Sequence, residues 1–115
     1  MKQKFGLSIM NYRYMRTIIF FDLPSVTTKD RRNYRNFVKS LRLFGFYRIQ
    51  ESVFVKMSLN QQASELIINK IRNSLPLEGV IMALTVTEKQ FNSMIVLLGE
   101  SKTDVIDSDE RMIVL

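Results

Sequence analysis

An α+β sandwich with a split β-α-β order is the fold class that this 115-residue chain predicts, and three observations predict it. Continuous apolar runs at Thr17–Phe21 and Val80–Val86 read as strands buried inside a sheet. Two stretches between them carry apolar residues at helical spacing. A short alternating stretch separates those helices, so strands and helices interleave along one domain with a modest core. This is the element order of a ferredoxin-like sandwich.

The first strand is expected over about Arg16 to Phe21. Asp22 follows it, and Pro24 cannot extend a hydrogen-bond ladder, so the chain turns there. A carboxylate is thereby placed at the exit of a central strand. If buried it needs compensation by a metal ion, a basic neighbour or the next helix N-terminus; the alternative is that Asp22 only opens a turn. Thr27 with Asp30 three residues later resembles a capping box, which starts a helix over about Lys29 to Leu43. Tyr34, Phe37, Val38, Leu41 and Phe44 form its core face, and Gly45 ends it.

Tyr47 to Met57 is β in character, with Val53, Val55 and Met57 on one face and Phe54 on the other. One bulged strand and a short strand with a tight turn both fit. Asn60 can cap a second helix over Gln61 to Ser74, with Ala63, Leu66, Ile67 and Ile71 facing the core and Pro76 beyond its end. After the Val80–Val86 strand, Thr87–Phe91 makes a turn or helical turn. Met94–Leu98 reads as another strand, an acidic loop spans Asp104 to Glu110, and Met112–Leu115 forms an apolar tail. Two helices cover one sheet face only. A second copy is the simplest cover for the other, with the tail as an extra C-terminal strand pairing across a homodimer. Met10 and Met15 are alternative starts, so residues 1–11 are expected to be a dispensable extension of a single domain over 12–115.

Composition narrows the chemistry. The chain has no His and no Cys, which removes Ser-His and Cys-His nucleophilic sites, thiol redox chemistry and the usual zinc ligand sets. Hydrolysis here needs carboxylates and a hard metal such as magnesium. The lack of cysteine fits a reducing cytoplasm. No apolar run is long enough to span a membrane, and no signal peptide is read. Charge is uneven: residues 1–48 hold eleven Lys/Arg against two Asp, whereas residues 49–115 hold six against nine acids. Arg31, Arg32, Arg35, Lys39 and Arg42 recur along the first helix, and Asp30 is the sole acid between Lys29 and Arg48. That pattern suits a phosphate backbone, with Arg16 and Arg48 as further candidates, and nothing suggests base-specific readout. The acidic group Asp104, Asp107, Asp109 and Glu110 lacks the central Gly of a calcium loop and reads as solvated.

Three segments together resemble one family. They are Tyr14 to Pro24 (Tyr-Met-Arg-Thr-Ile-Ile-Phe-Phe-Asp-Leu-Pro), Gly45 to Phe54 (Gly-Phe-Tyr-Arg-Ile-Gln-Glu-Ser-Val-Phe) and Leu84 to Phe91 (Leu-Thr-Val-Thr-Glu-Lys-Gln-Phe). The chain is similar to CRISPR-associated protein two, the small partner of the CRISPR integrase, in its type II-A version. The resemblance covers about residue 12 to the C-terminus. It implies a ferredoxin-like homodimer that bridges integrase dimers and holds duplex DNA before insertion into the array. It also implies a metal-dependent nuclease site in which Asp22 of two copies shares one magnesium. Arg48, Ser52 and Phe54 match positions near the same cleft, and Phe21 stands where many members carry a Tyr hydroxyl. The function expected is therefore a DNA-holding scaffold of spacer acquisition. The alternatives are a stand-alone metal-dependent endoribonuclease of the toxin-like ferredoxin class, and a regulatory domain binding a small ligand between protomers.

Overall fold

The computed structural model describes residues 14–99. The N-terminal extension, the acidic loop and the Met112–Leu115 tail lie outside the described residues. The elements are β1 (Met15–Asp22), α1 (Thr28–Leu43), β2 (Tyr47–Gln50), β3 (Val53–Ser58), α2 (Gln61–Arg72), β4 (Val80–Thr87) and α3 (Glu88–Asn92). The sheet has the order β2-β3-β1-β4, and every neighbouring pair is antiparallel. This is the ferredoxin-like α+β arrangement that the interleaved pattern predicts.

Local chemistry sets the boundaries. Thr27 and Asp30 form the expected capping box: the Asp30 N–H donates to Thr27 Oγ1 at 3.0 Å and the Thr27 N–H to Asp30 Oδ2 at 3.1 Å. At the other end Gly45 N–H donates to the Arg42 carbonyl and Phe46 N–H to that of Leu41. With Gly45 at φ 97°, this is a Schellman motif, and Phe46 and Leu41 are buried together beneath it. The Tyr47–Met57 stretch combines both of its open readings. Two strands pair through a tight connection at Glu51-Ser52, and the register shifts between Arg48 and Gln50. Asn60 caps α2 through its side chain, which accepts the Ala63 N–H at 2.8 Å.

Alternation along β1 separates two faces of the sheet. Thr17, Ile19 and Phe21 face the helices, where Ile19, Phe21, Phe37, Leu41, Phe46, Phe54 and Ile71 form the core. Thr17 Oγ1 lies 2.9 Å from Ser58 Oγ and 2.6 Å from Ser64 Oγ, which lies 2.8 Å from Thr85 Oγ1. Four hydroxyls thus tie α2 to β1, β3 and β4, and each buried oxygen keeps a partner.

Two expectations are overturned here. Leu66 does not face the core: it is 65% exposed, and Ser64 is buried in its stead. The hydroxyl network draws Ser64 inward, which rotates the helix face toward Ile67 and Ile71. Met94–Leu98 is not a strand. The Met94 N–H closes α3 on the Phe91 carbonyl, and the run then continues exposed, paired with none of the four described strands. An apolar run becomes a strand only where its backbone reaches a partner strand, and this run reaches none of those described although β4 is an edge.

Candidate nucleic-acid interface

Asp22 is the last residue of β1 and pairs with Val80 of β4. By alternation it shares the second face with Arg16, Ile18 and Phe20. It is exposed, not buried, so the compensating partner that a buried carboxylate would require is not demanded within one chain. The backbone around it is closely held. Phe21 N–H donates to the Ser52 carbonyl at 3.1 Å, which brings the β2–β3 connection to the strand exit. Gly79, at φ 106°, lies against the same exit: a Cβ there would come 2.8 Å from the Asp22 carbonyl oxygen and 2.5 Å from Leu23 Cδ2. Gly79 is a positioning residue that the sequence marks only as punctuation; its pairing with Asp22–Leu23 spans more than fifty residues.

The basic residues do not all converge. Arg31 and Arg32 are exposed on the first half of α1, and Arg31 spends one donor on the Val26 carbonyl at 2.8 Å. Arg35, Lys39 and Arg42 meet Arg48 of β2 around an open groove of about 440 Å³, also lined by Tyr34, Val38 and Leu43. The Arg42 and Arg48 guanidinium carbons lie 5.6 and 5.1 Å from the Phe54 ring centroid. Arg48 Nε is buried and has no hydrogen-bond partner. The Tyr34 hydroxyl sits 3.1 Å from both the carbonyl and Oε2 of Glu51. Burial and that carboxylate raise the Tyr34 pKa, keeping the phenol protonated.

Arg16 stands apart, on the second face. Its Nε and second terminal nitrogen donate to the two Glu88 oxygens at 2.7 and 2.9 Å, its first terminal nitrogen donates to the Tyr47 hydroxyl at 2.7 Å, and its guanidinium covers the Phe91 ring at 4.6 Å. Burial opposes its charge, yet Glu88 and Tyr47 outweigh burial and its pKa is raised. These contacts anchor α3 to β1 and occupy the donors that a phosphate would need. Phe21 and Phe54 are core residues: Phe21 lies edge-on to Phe37 at 5.2 Å and stacks on Phe54 at 5.8 Å. Neither side chain walls an open cleft, because the helices of this chain already cover them. Ser52 lies at the β1 exit, where its carbonyl accepts the Phe21 N–H.

Among the described residues no group of three or more acidic, His or Cys side chains could hold a metal. One Asp22 does not fit a magnesium site by itself. No described helix is long and apolar enough to cross a membrane.

The sequence profile of the family described as CRISPR associated protein Cas2 matches residues 15–94. Proteins named CRISPR-associated endoribonuclease Cas2 are similar along most of the chain. That of Treponema denticola is 46% identical over 101 residues, covering 88% of this chain and 100% of that protein. That of Ligilactobacillus salivarius is 44% identical, with the same coverage of both. That of Streptococcus mutans is 44% identical, covering 88% of this chain and 93% of that protein.

Proposed function

Because this chain belongs to the CRISPR-associated protein Cas2 family, we propose that it is a cytoplasmic subunit of spacer acquisition: a homodimeric scaffold that binds duplex DNA and bridges integrase dimers. The observation that carries this reading is the first helix. Arg31, Arg32 and Arg35 stand exposed along it, and its only acid, Asp30, is folded back into the helix cap. Charge of one sign on a rigid element suits phosphates spaced along a backbone, without base readout.

The second sheet face supports the dimer. Val80, Met82 and Leu84 are 57, 59 and 49% exposed there, at alternate positions of β4 that form an apolar strip. A strip of this kind on an edge strand suits a protein contact.

Duplex binding is tested with Arg31→Ala/Arg32→Ala/Arg35→Ala. Affinity should fall for any sequence, and the salt slope should become shallower by about 0.9 for each lost phosphate contact. An unchanged slope and affinity would remove the helix from the interface.

A nuclease reading is favoured by one specific observation, the exposed Asp22 carboxylate at the strand exit, together with the name carried by the relatives. Since one chain does not supply a metal set, this reading requires Asp22 from two copies, and magnesium would supply an activated water there. Asp22→Asn should reduce metal-dependent cleavage of RNA or DNA to background while leaving dimer mass, duplex binding and spacer integration intact. Loss of integration in a folded, DNA-binding Asp22→Asn protein would replace the scaffold reading with the nuclease one.

A further inference from the structure

The outer arginines of α1 account for duplex phosphates, but the groove beside them has features that a duplex does not use. Among the described residues its lining joins four cations, Arg35, Lys39, Arg42 and Arg48, with no carboxylate. Its volume of about 440 Å³ falls within the range of small-molecule sites, roughly 300–1,000 Å³. Two guanidinium groups are drawn to the same Phe54 ring, so like charges are concentrated at its floor. The Arg48 Nε donor, buried without a partner, marks this floor as polar and incompletely satisfied. The remaining lining is apolar: the Tyr34 ring, Val38, and Leu43, which is 78% exposed at the rim. Glu51 occupies the Tyr34 hydroxyl, so Tyr34 offers its ring to the groove as surface rather than as a donor.

A duplex keeps its bases stacked inside and presents only phosphates, which leaves this apolar wall uncovered. An unpaired nucleotide carries both chemistries at once, a phosphate for the cations and a flat base for the wall. We propose that the groove between α1 and β2 holds an unpaired nucleotide of a nucleic-acid strand, its phosphate among Arg35, Lys39, Arg42 and Arg48 and its base against Tyr34, Val38 and Leu43. This inference rests on the reading of α1 as a nucleic-acid interface and adds a single-strand site to it.

The test measures binding of an eight-nucleotide single-stranded DNA, a blunt duplex, a mononucleotide and inorganic phosphate to the full chain and three variants. Leu43→Gln changes an exposed residue and no charge. Arg48→Gln removes the floor cation, with thermal melting to confirm the fold. Arg31→Ala/Arg32→Ala serves as the duplex-face control. Arg48→Gln should weaken single-strand binding about tenfold and Leu43→Gln several-fold, each leaving duplex affinity within about twofold. The mononucleotide should compete better than phosphate. Equal loss for duplex and single strand in Arg48→Gln would overturn the inference, reducing the groove to one more duplex contact. So would phosphate competing as well as the mononucleotide with Leu43→Gln silent, which describes a simple anion site. An Arg31→Ala/Arg32→Ala protein with unchanged duplex binding would instead count against the helix reading, independently of the groove.

Discussion

The two faces of the sheet differ in how completely one chain finishes them. The helix face is closed: Ile19, Phe37, Leu41 and Phe54 are buried, their neighbours interlock, and the one polar cluster beneath α2 is internally satisfied. The second face is closed only in part. Ile18 and Val55 are buried there, and Arg16, Tyr47, Glu88 and Phe91 are bound together across one end. Farther along the same face, Val80, Met82 and Leu84 stand in the open. The contrast teaches that one chain closes one face of its strand set and leaves part of the other exposed, the part that the proposed dimer would cover. Residues one position apart in β1 and β4 serve different ends.

That contrast can be broken by substitutions on either side. The largest effect is expected from Phe54→Ala, which empties the centre of the closed face and should cost about 3–5 kcal/mol in chemical unfolding. A cost under about 1 kcal/mol would mean that the helix layer is not tightly packed. Thr17→Val comes next. It strands the Ser58 hydroxyl, leaves Ser64 with Thr85 alone, and should cost about 1–3 kcal/mol, although the volume is nearly unchanged. Removing the helix cap with Thr27→Ala is expected to cost about 1 kcal/mol by the same measurement.

The same cap gives a pH dependence. The Thr27 N–H holds the Asp30 pKa below the ordinary carboxylate value. A carboxylate whose folded pKa is lowered contributes stability above its unfolded pKa and loses it as pH falls through the folded one. Acid titration should therefore weaken α1 in the wild type, and Asp30→Asn should flatten that part of the profile.

The smallest effect on stability, and the sharpest on assembly, is expected from Met82→Asp/Leu84→Asp. Both residues are exposed in one chain, so single-chain unfolding should change by roughly 0.5 kcal/mol or less. Mass by light scattering should fall from twice the chain mass to one. A double mutant that keeps the wild-type mass would remove this strip from any dimer contact.

Much of this was legible in the sequence because it rests on local chemistry. The α1 boundaries follow from Thr27, Asp30 and Gly45, whose side chains or backbone freedom act within a few residues. The core face of α1 follows from spacing alone, since a helix repeats every 3.6 residues wherever it is placed. The absence of His and Cys removed whole reaction classes before any contact was known. The motifs around Asp22, Arg48–Phe54 and Thr87–Phe91 pointed to the family that the profile match establishes.

The tertiary structure decided what depends on distant partners. Ser64 rather than Leu66 turns inward because Thr17 and Thr85, far away in sequence, offer hydroxyls to it. Arg16 leaves the basic set because Glu88, seventy-two residues later, claims its guanidinium. Met94–Leu98 remains unpaired with the described sheet although β4 is an edge strand: the run leaves α3 after the Met94 N–H closes on the Phe91 carbonyl and pairs with no described strand. Arg48 enters the groove of α1 because antiparallel pairing carries β2 there. Sequence spacing sets which face a side chain takes along its own element; only the packing of elements sets which charge or hydroxyl it meets.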